Sequence, residues 1–132
     1  MNFVESKPIY RQIAERLEDE VLAGRYAEDE RAPSVREYSA LLQVNVNTVA
    51  RAYEALAGEG VLVAQRGMGY YVNPGARESI LSRRRAHFIE VEVPTFLHNM
   101  RRYGVSKEQL EAQLCDIQQN ETTELQTSSE NQ

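Results

Sequence analysis

Three short polar side chains, Asn45, Asn47 and Thr48, stand at the start of a helix-forming stretch, and their types suit contact with nucleic acid bases. The amide of asparagine can pair with N6 and N7 of adenine, and threonine can offer a hydrogen bond and a methyl contact to thymine. Asn45 directly precedes the helix, so capping is its preferred interpretation. For Asn47 and Thr48 we prefer contact with base edges, and this preference depends on the surrounding motif.

Arginines in the same stretch could neutralise the phosphates of a nucleic acid. Arg36 falls in the first turn of a predicted helix, where the positive end of the helix dipole makes a cation unfavourable. Arg51 has two competing interpretations, a phosphate contact or an ion pair with Glu37 or Glu54.

A helix-turn-helix pattern would position these residues. A first helix is predicted from apolar residues that repeat at every fourth position until Gly24. Ser34 and Glu37 form a capping box for a second helix over about 35–42. Since only two residues separate it from Asn45, the third helix, about 46–59, follows a tight turn.

A β-hairpin is predicted to follow, with strands over 61–65 and 70–72. The glycines of its turn, Gly67 and Gly69, permit positive φ angles and let the backbone approach a groove. Arg66 could enter that groove or pair with a phosphate, and the alternative is a solvated turn. The fold class is therefore mainly α with a small β-hairpin, a winged helix-turn-helix over residues 1–75.

The residues after Asn73-Pro74-Gly75 are predicted to form a helical dimerisation domain, 76–119, with a break near Glu90 caused by Pro94. Residues 120–132 are polar and predicted to be disordered. The helices carry more apolar surface than one short partner helix can cover, so we expect a homodimer. The predicted dimer interface consists of Ile80, Leu81, Phe88, Val91, Phe96, Leu97, Leu110, Leu114 and Ile117.

The net charge of -5 at first argues against a nucleic-acid partner, because phosphate neutralisation usually leaves a basic footprint. The distribution of charge weakens that argument. Most acids of the first half crowd into 15–20 and 28–30, whereas the stretch 31–66 holds only Glu37, Glu54 and Glu59. A locally positive surface is thus compatible with the composition.

Several classes of protein are not expected. There is no apolar run long enough for a membrane span and no secretory signal, so we expect a cytoplasmic location and no membrane partner. His87 and His98 would lie about 16 Å apart on an unbroken helix, and Cys115 has no partner, so no metal site is predicted. No catalytic residues and no cofactor are expected. The run Arg83-Arg84-Arg85 is more typical of a solvated helix face than of a phosphate site.

The motifs Pro33-Ser34-Val35-Arg36-Glu37, Val44-Asn45-Val46-Asn47-Thr48-Val49, Glu59-Gly60-Val61 and Arg66-Gly67-Met68-Gly69-Tyr70 occur here in one order. Over residues 8–72 they resemble the GntR family of bacterial regulators, and the short helical remainder resembles its YtrA-type subfamily. The resemblance implies a dimeric repressor of operator DNA, often of a transporter operon. The expected DNA contacts are Ser34, Arg36, Asn45, Val46, Asn47, Thr48, Arg51, Arg66, Gly67 and Gly69.

Two departures from the family limit what can be carried over. Val46 and Ala50 stand where many members have arginine, which affects both target sequence and affinity. Val46 could touch a thymine methyl or merely fill the first helical turn. A winged helix can also serve as a protein-interaction module, which salt-sensitive binding to a defined operator would distinguish. Any small-molecule effector, of unknown identity, would bind between subunits.

Overall fold

Two capped helices and an intervening tight turn position the polar residues singled out in the sequence. The structure, a computed structural model, describes residues 3 and 6–130, with side chains described as far as residue 121. Its internal contacts divide the chain into unit 1, residues 1–85, and unit 2, residues 86–132.

Unit 1 begins with three helices: α1 (Ile9–Leu22), α2 (Val35–Leu42) and α3 (Val46–Gly58). Pro8 occupies the N-cap position of α1 and provides no side-chain cap. Gln43 ends α2 in the left-handed conformation, with a φ of 56°, and this reverses the chain ahead of α3. The predicted helix-turn-helix is therefore confirmed.

The predicted hairpin is present as β1 (Leu62–Gln65) and β2 (Gly69–Val72), which pair antiparallel. The segment that precedes α2 continues this sheet, because Arg31 forms an antiparallel bridge with Tyr71. The mainly helical fold with one two-stranded sheet agrees with the predicted fold class.

One apolar core holds unit 1 together. It forms where the inner faces of α1, α2 and α3 meet the hairpin, and it includes the fully buried side chains of Ile13, Leu17, Val49, Leu56, Val61 and Val72. Burying a side chain of this size contributes about 1.5–3 kcal/mol, so the helices are fixed mainly by packing.

The next helix, α4 (Ala76–His87), changes the predicted domain boundary. Ala76 and Ile80 are fully buried in the core of unit 1, so this unit extends to residue 85 and not to 75. Ile80 was predicted at the dimer interface, and this assignment is wrong because no part of its side chain is accessible to a second subunit. Apolar periodicity marked Ile80 as buried but could not identify the partner.

Unit 2 continues as a π-helical turn, Phe88–Glu92, then α5 (Val93–Arg102) and α6 (Lys107–Glu130). The π-helical turn accounts for the predicted break, since Pro94 has no N–H with which to continue regular α-helical bonding. Helix α6 extends to Glu130, whereas composition predicted disorder from residue 120. Helical hydrogen bonds are local and glutamate, glutamine and leucine form helices well, which favours this extension without a core. Residues 131–132 of the predicted tail lie outside the described residues.

Over the residues that the structure describes, none of the helices combines the length and the apolar character that crossing a membrane requires.

Candidate nucleic-acid interface

The first turn of α3 carries the residues predicted to face base edges. The side-chain oxygen of Asn45 accepts a hydrogen bond from the backbone N–H of Asn47 at 2.8 Å, so Asn45 caps α3. Val46 and Asn47 are exposed, and Thr48 is half-buried. Within the described part of the chain, no hydrogen bond engages the Asn47 amide or the Thr48 hydroxyl. Both groups are therefore available to an outside partner.

The start of α2 is fixed by the capping box predicted from the sequence. The Ser34 hydroxyl accepts from the backbone N–H of Glu37 at 3.0 Å, and the Glu37 carboxylate accepts from the backbone N–H of Ser34 at 3.2 Å. Arg36 lies in the same turn with its side chain exposed, and among the described residues it has no carboxylate partner. A cation next to the positive helix end is stabilised when an anion approaches from outside.

Tyr53 links α3 to the start of α2 and to the hairpin. Its hydroxyl donates to the carbonyl oxygen of Pro33 at 2.6 Å, and its ring packs edge-on against Tyr70 with 5.2 Å between centroids. Burial raises the pKa of Tyr53, so the hydroxyl keeps the proton that it donates. This positioning role of Tyr53 appears only in the structure.

Arg51 adopts neither of the ion pairs that the sequence allowed. Its guanidinium lies 4.1 Å from the centroid of the Tyr10 ring, on helix α1, and pairs with neither Glu37 nor Glu54. Such a cation–π contact stabilises the side chain by about 0.5–1 kcal/mol at an exposed site and leaves its charge unneutralised. Arg51 therefore keeps a full positive charge in a restrained position on the exposed side of α3.

The hairpin turn presents Arg66 and two glycines. Gly67 and Gly69 have φ angles of 78° and 98°, a region that other residues adopt only with strain. Arg66 is exposed and has no ion pair within the described part of the chain. The turn geometry thus requires glycine and leaves a charged side chain at the tip.

The acidic side chains of α1 are largely paired within unit 1. Their partners come from outside the helix-turn-helix, in the ion pairs Lys7–Glu15, Arg16–Glu20, Arg83–Glu18 and Arg84–Asp19. By contrast, four arginines on or next to α2, α3 and the hairpin have no carboxylate partner among the described residues: Arg31, Arg36, Arg51 and Arg66. An acidic chain therefore retains unneutralised cations on the elements predicted to meet DNA.

The buried carboxylate of Glu18 lies at the centre of these ion pairs. Glu18 is fully buried, accepts a hydrogen bond from Arg83, and has one oxygen 3.9 Å from a nitrogen of Arg11. Arg11 also forms a two-pronged contact with Glu59 at 2.7 and 3.0 Å, which lowers the pKa of Glu59. Arg83 and Arg84 are therefore structural ion-pair partners, and the prediction of a merely solvated arginine run is wrong for both.

Among the described residues, no group of three or more histidine, cysteine or acidic side chains is placed to hold a metal ion. Cys115 is exposed on α6.

The similarity to known proteins covers the same helices and hairpin. The family profile described as "Bacterial regulatory proteins, gntR family" matches residues 9–72, from α1 to the end of the hairpin. The HTH-type transcriptional repressor YtrA of Bacillus subtilis is 36% identical over 76 residues, which are 58% of this chain and 58% of YtrA. The chain thus spans a little over half the length of that relative.

Solved structures extend the similarity into unit 2. A crystal structure of a GntR-family transcriptional regulator from Bacteroides thetaiotaomicron is 40% identical with a TM-score of 0.74, covering 86% of this chain and 99% of that one. A GntR-family regulator from Listeria monocytogenes is 31% identical with a TM-score of 0.69, covering 86% of this chain and 98% of that one.

Proposed function

This chain belongs to the GntR family of bacterial regulatory proteins, and on that premise we propose that it represses transcription as a homodimer bound to operator DNA. Membership makes it a DNA-binding transcriptional regulator. Its relatives are regulators rather than enzymes, which confirms the expectation that it is not an enzyme. Repression, the homodimer and the individual contacts are the parts that we propose.

One observation carries the proposal: among the described residues the Asn47 amide, Arg36 and Arg66 have no hydrogen-bond or ion-pair partner, while the acids of α1 are largely neutralised elsewhere in unit 1. The free Asn47 amide stands in the first turn of α3, and exposed arginines flank it in sequence on α2 and the hairpin. In a helix-turn-helix the N-terminal residues of the second helix reach base edges in the major groove.

Each predicted residue then has a role in the complex. Asn47 and Thr48 read base edges, and the exposed methyl groups of Val46 contact a thymine methyl. Ser34 and Asn45 hold the starts of α2 and α3 against the DNA backbone through their caps. The remaining residues serve the phosphates, by charge or by close backbone approach: Arg36, Arg51, Arg66, Gly67 and Gly69.

Unit 2 supports the homodimer. The exposed fractions are 52% for Phe88, 48% for Val91, 52% for Phe96 and 56% for Ile117. Leu81, on α4 of unit 1, is also partly exposed, and the other predicted interface residues of unit 2 are exposed or half-buried: Leu97, Leu110 and Leu114. Large apolar side chains at this density on short helices favour a protein partner, and we propose a second copy of the chain.

Two copies related by a two-fold axis would present two recognition helices to half-sites about 34 Å apart on a palindromic operator. The repressor role is supported by the similarity to YtrA, which is a transcriptional repressor. Selecting genomic fragments with the purified protein would identify the operator. Transcription in vitro from a promoter that contains this operator should then fall when the protein is added, and a rise would contradict repression.

Asn47→Ala is expected to lower affinity for the selected operator by about 1–3 kcal/mol while leaving binding to random DNA almost unchanged, because the amide reads a base edge. Titration of both duplexes with the full-length protein measures this. Gln113→Ala, which removes an exposed amide from α6, is the matched control and should change neither affinity. Equal losses on operator and random DNA would refute the assignment of Asn47 to base reading.

Arg36→Ala and Arg66→Ala are each expected to weaken binding to both duplexes and to reduce the slope of log affinity against log salt by about one unit. The reason is that each arginine releases the counterion of one phosphate. Arg25→Ala, which removes an exposed arginine after α1, serves as control. Unchanged slope and affinity in either variant would place that arginine outside the interface.

A further inference from the structure

The segment that leads into α2 lies alongside β2 like a third strand of the hairpin sheet. The backbone N–H of Val72 donates to the carbonyl of Glu30 at 2.8 Å, and the N–H of Ala32 donates to the carbonyl of Tyr70 at 2.9 Å. Arg31 stands between these bonds, directly opposite Tyr71. Its backbone is therefore held in register with β2.

The Arg31 side chain extends along β2 to the hairpin turn. A Cβ on Gly69 would lie 3.4 Å from Nε and 3.5 Å from Nη2 of Arg31. Gly69 is the diagonal neighbour of Arg31 on one face of the sheet, two positions before Tyr71. The φ of 98° favours glycine at position 69, and these distances place the Arg31 guanidinium beside the turn that carries Arg66.

The Arg31 guanidinium has no ion-pair partner among the described residues. Arg31 is exposed, and in the part of the chain that the structure describes no carboxylate pairs with it; the carboxylate of its neighbour Glu30 accepts instead from the backbone N–H of Ala27 at 3.2 Å. A second cation beside the Arg66 turn strengthens the local positive potential. The register with Tyr71 fixes the backbone of Arg31 before any ligand arrives, which lowers the entropic cost of binding.

We propose that Arg31 binds a phosphate of the DNA backbone beside the hairpin. This inference rests on the proposed operator binding and adds a contact outside the residues predicted from the sequence. Because a phosphate contact carries no sequence information, Arg31 contributes affinity without specificity.

The test uses the full chain, the genomic duplex that it selects, and a scrambled duplex of equal length. Arg31→Ala should weaken binding to both duplexes by the same factor. One lost phosphate contact removes about 0.9 from the salt slope, so the ratio of wild-type to variant affinity should shrink about 3.5-fold between about 50 and about 200 mM salt. Arg31→Lys keeps the charge and should keep the slope. Arg25→Ala, an exposed arginine six positions earlier, should leave slope and affinity unchanged.

Thermal unfolding would establish that each variant is folded.

Three results would overturn the phosphate contact: an Arg31→Ala loss confined to the operator, a loss equalled by Arg25→Ala, or no loss. If the wild-type chain binds the selected duplex no more tightly than the scrambled one, the proposed function itself fails. If the wild-type chain discriminates between the duplexes and Arg31→Ala has no effect, only the present inference fails.

Discussion

Arg83→Met is expected to lower the free energy of unfolding of unit 1 by about 3 kcal/mol. Glu18 is fully buried, and Arg83 supplies its hydrogen bond, while the nearest nitrogens of Arg11 and Arg84 stay 3.9 Å away. Methionine keeps much of the apolar volume of the arginine stem, so the loss comes from the uncompensated Glu18 carboxylate and the lost 3.4 Å ion pair with Glu59 rather than from a cavity. Urea unfolding of the full chain, followed by circular dichroism, gives the difference.

Arg85→Met is the matched control, because Arg85 lies two positions further along α4, is exposed, and has no ion pair among the described residues. Its loss should stay within about 0.5 kcal/mol. Adding Glu18→Leu to Arg83→Met should recover part of the stability, since it removes the buried charge. Equal losses for Arg83→Met and Arg85→Met would show that the buried pair contributes nothing to folding.

Ending the chain at His87 is expected to leave a folded monomer whose affinity for the operator falls by about 100- to 10,000-fold. The reason is that unit 1 keeps its whole core, including Ile80, but loses the exposed apolar helices that we propose to join two copies. Each unit then has to find its half-site independently. Light scattering and operator titration of both chain lengths measure the change.

A chain that ends at Gly75 is the comparison that distinguishes loss of dimerisation from loss of folding. It lacks Ala76, Ile80 and Arg83, and it therefore exposes the core of unit 1 and leaves Glu18 without its hydrogen bond. We expect it to unfold at much lower denaturant concentration than the chain that ends at His87. A dimeric chain ending at His87, or one that binds the operator as tightly as the full protein, would refute the role of unit 2 in dimerisation.

The sequence alone determined the features that depend on neighbouring residues. The capping box Ser34–Glu37 forms as predicted. Helix α2 has the predicted bounds, 35–42, and the glycine-containing turn joins two strands. Such features are encoded within one or two helical turns, because the relevant hydrogen bonds join residues close in the chain. The order of these elements was sufficient to predict the winged helix-turn-helix and its recognition helix.

Only the tertiary structure decided which distant side chains meet. Arg83 and Glu18 are 65 positions apart, Arg51 lies over Tyr10, and Arg31 reaches Gly69. Nothing in the local pattern relates these residues, since each pairing arises from packing that places one element on another. Burial of Ile80 within unit 1 has the same origin. The hydrophobic effect depends on the area removed from water and has no direction, so an apolar periodicity shows that a face is buried but not which surface covers it.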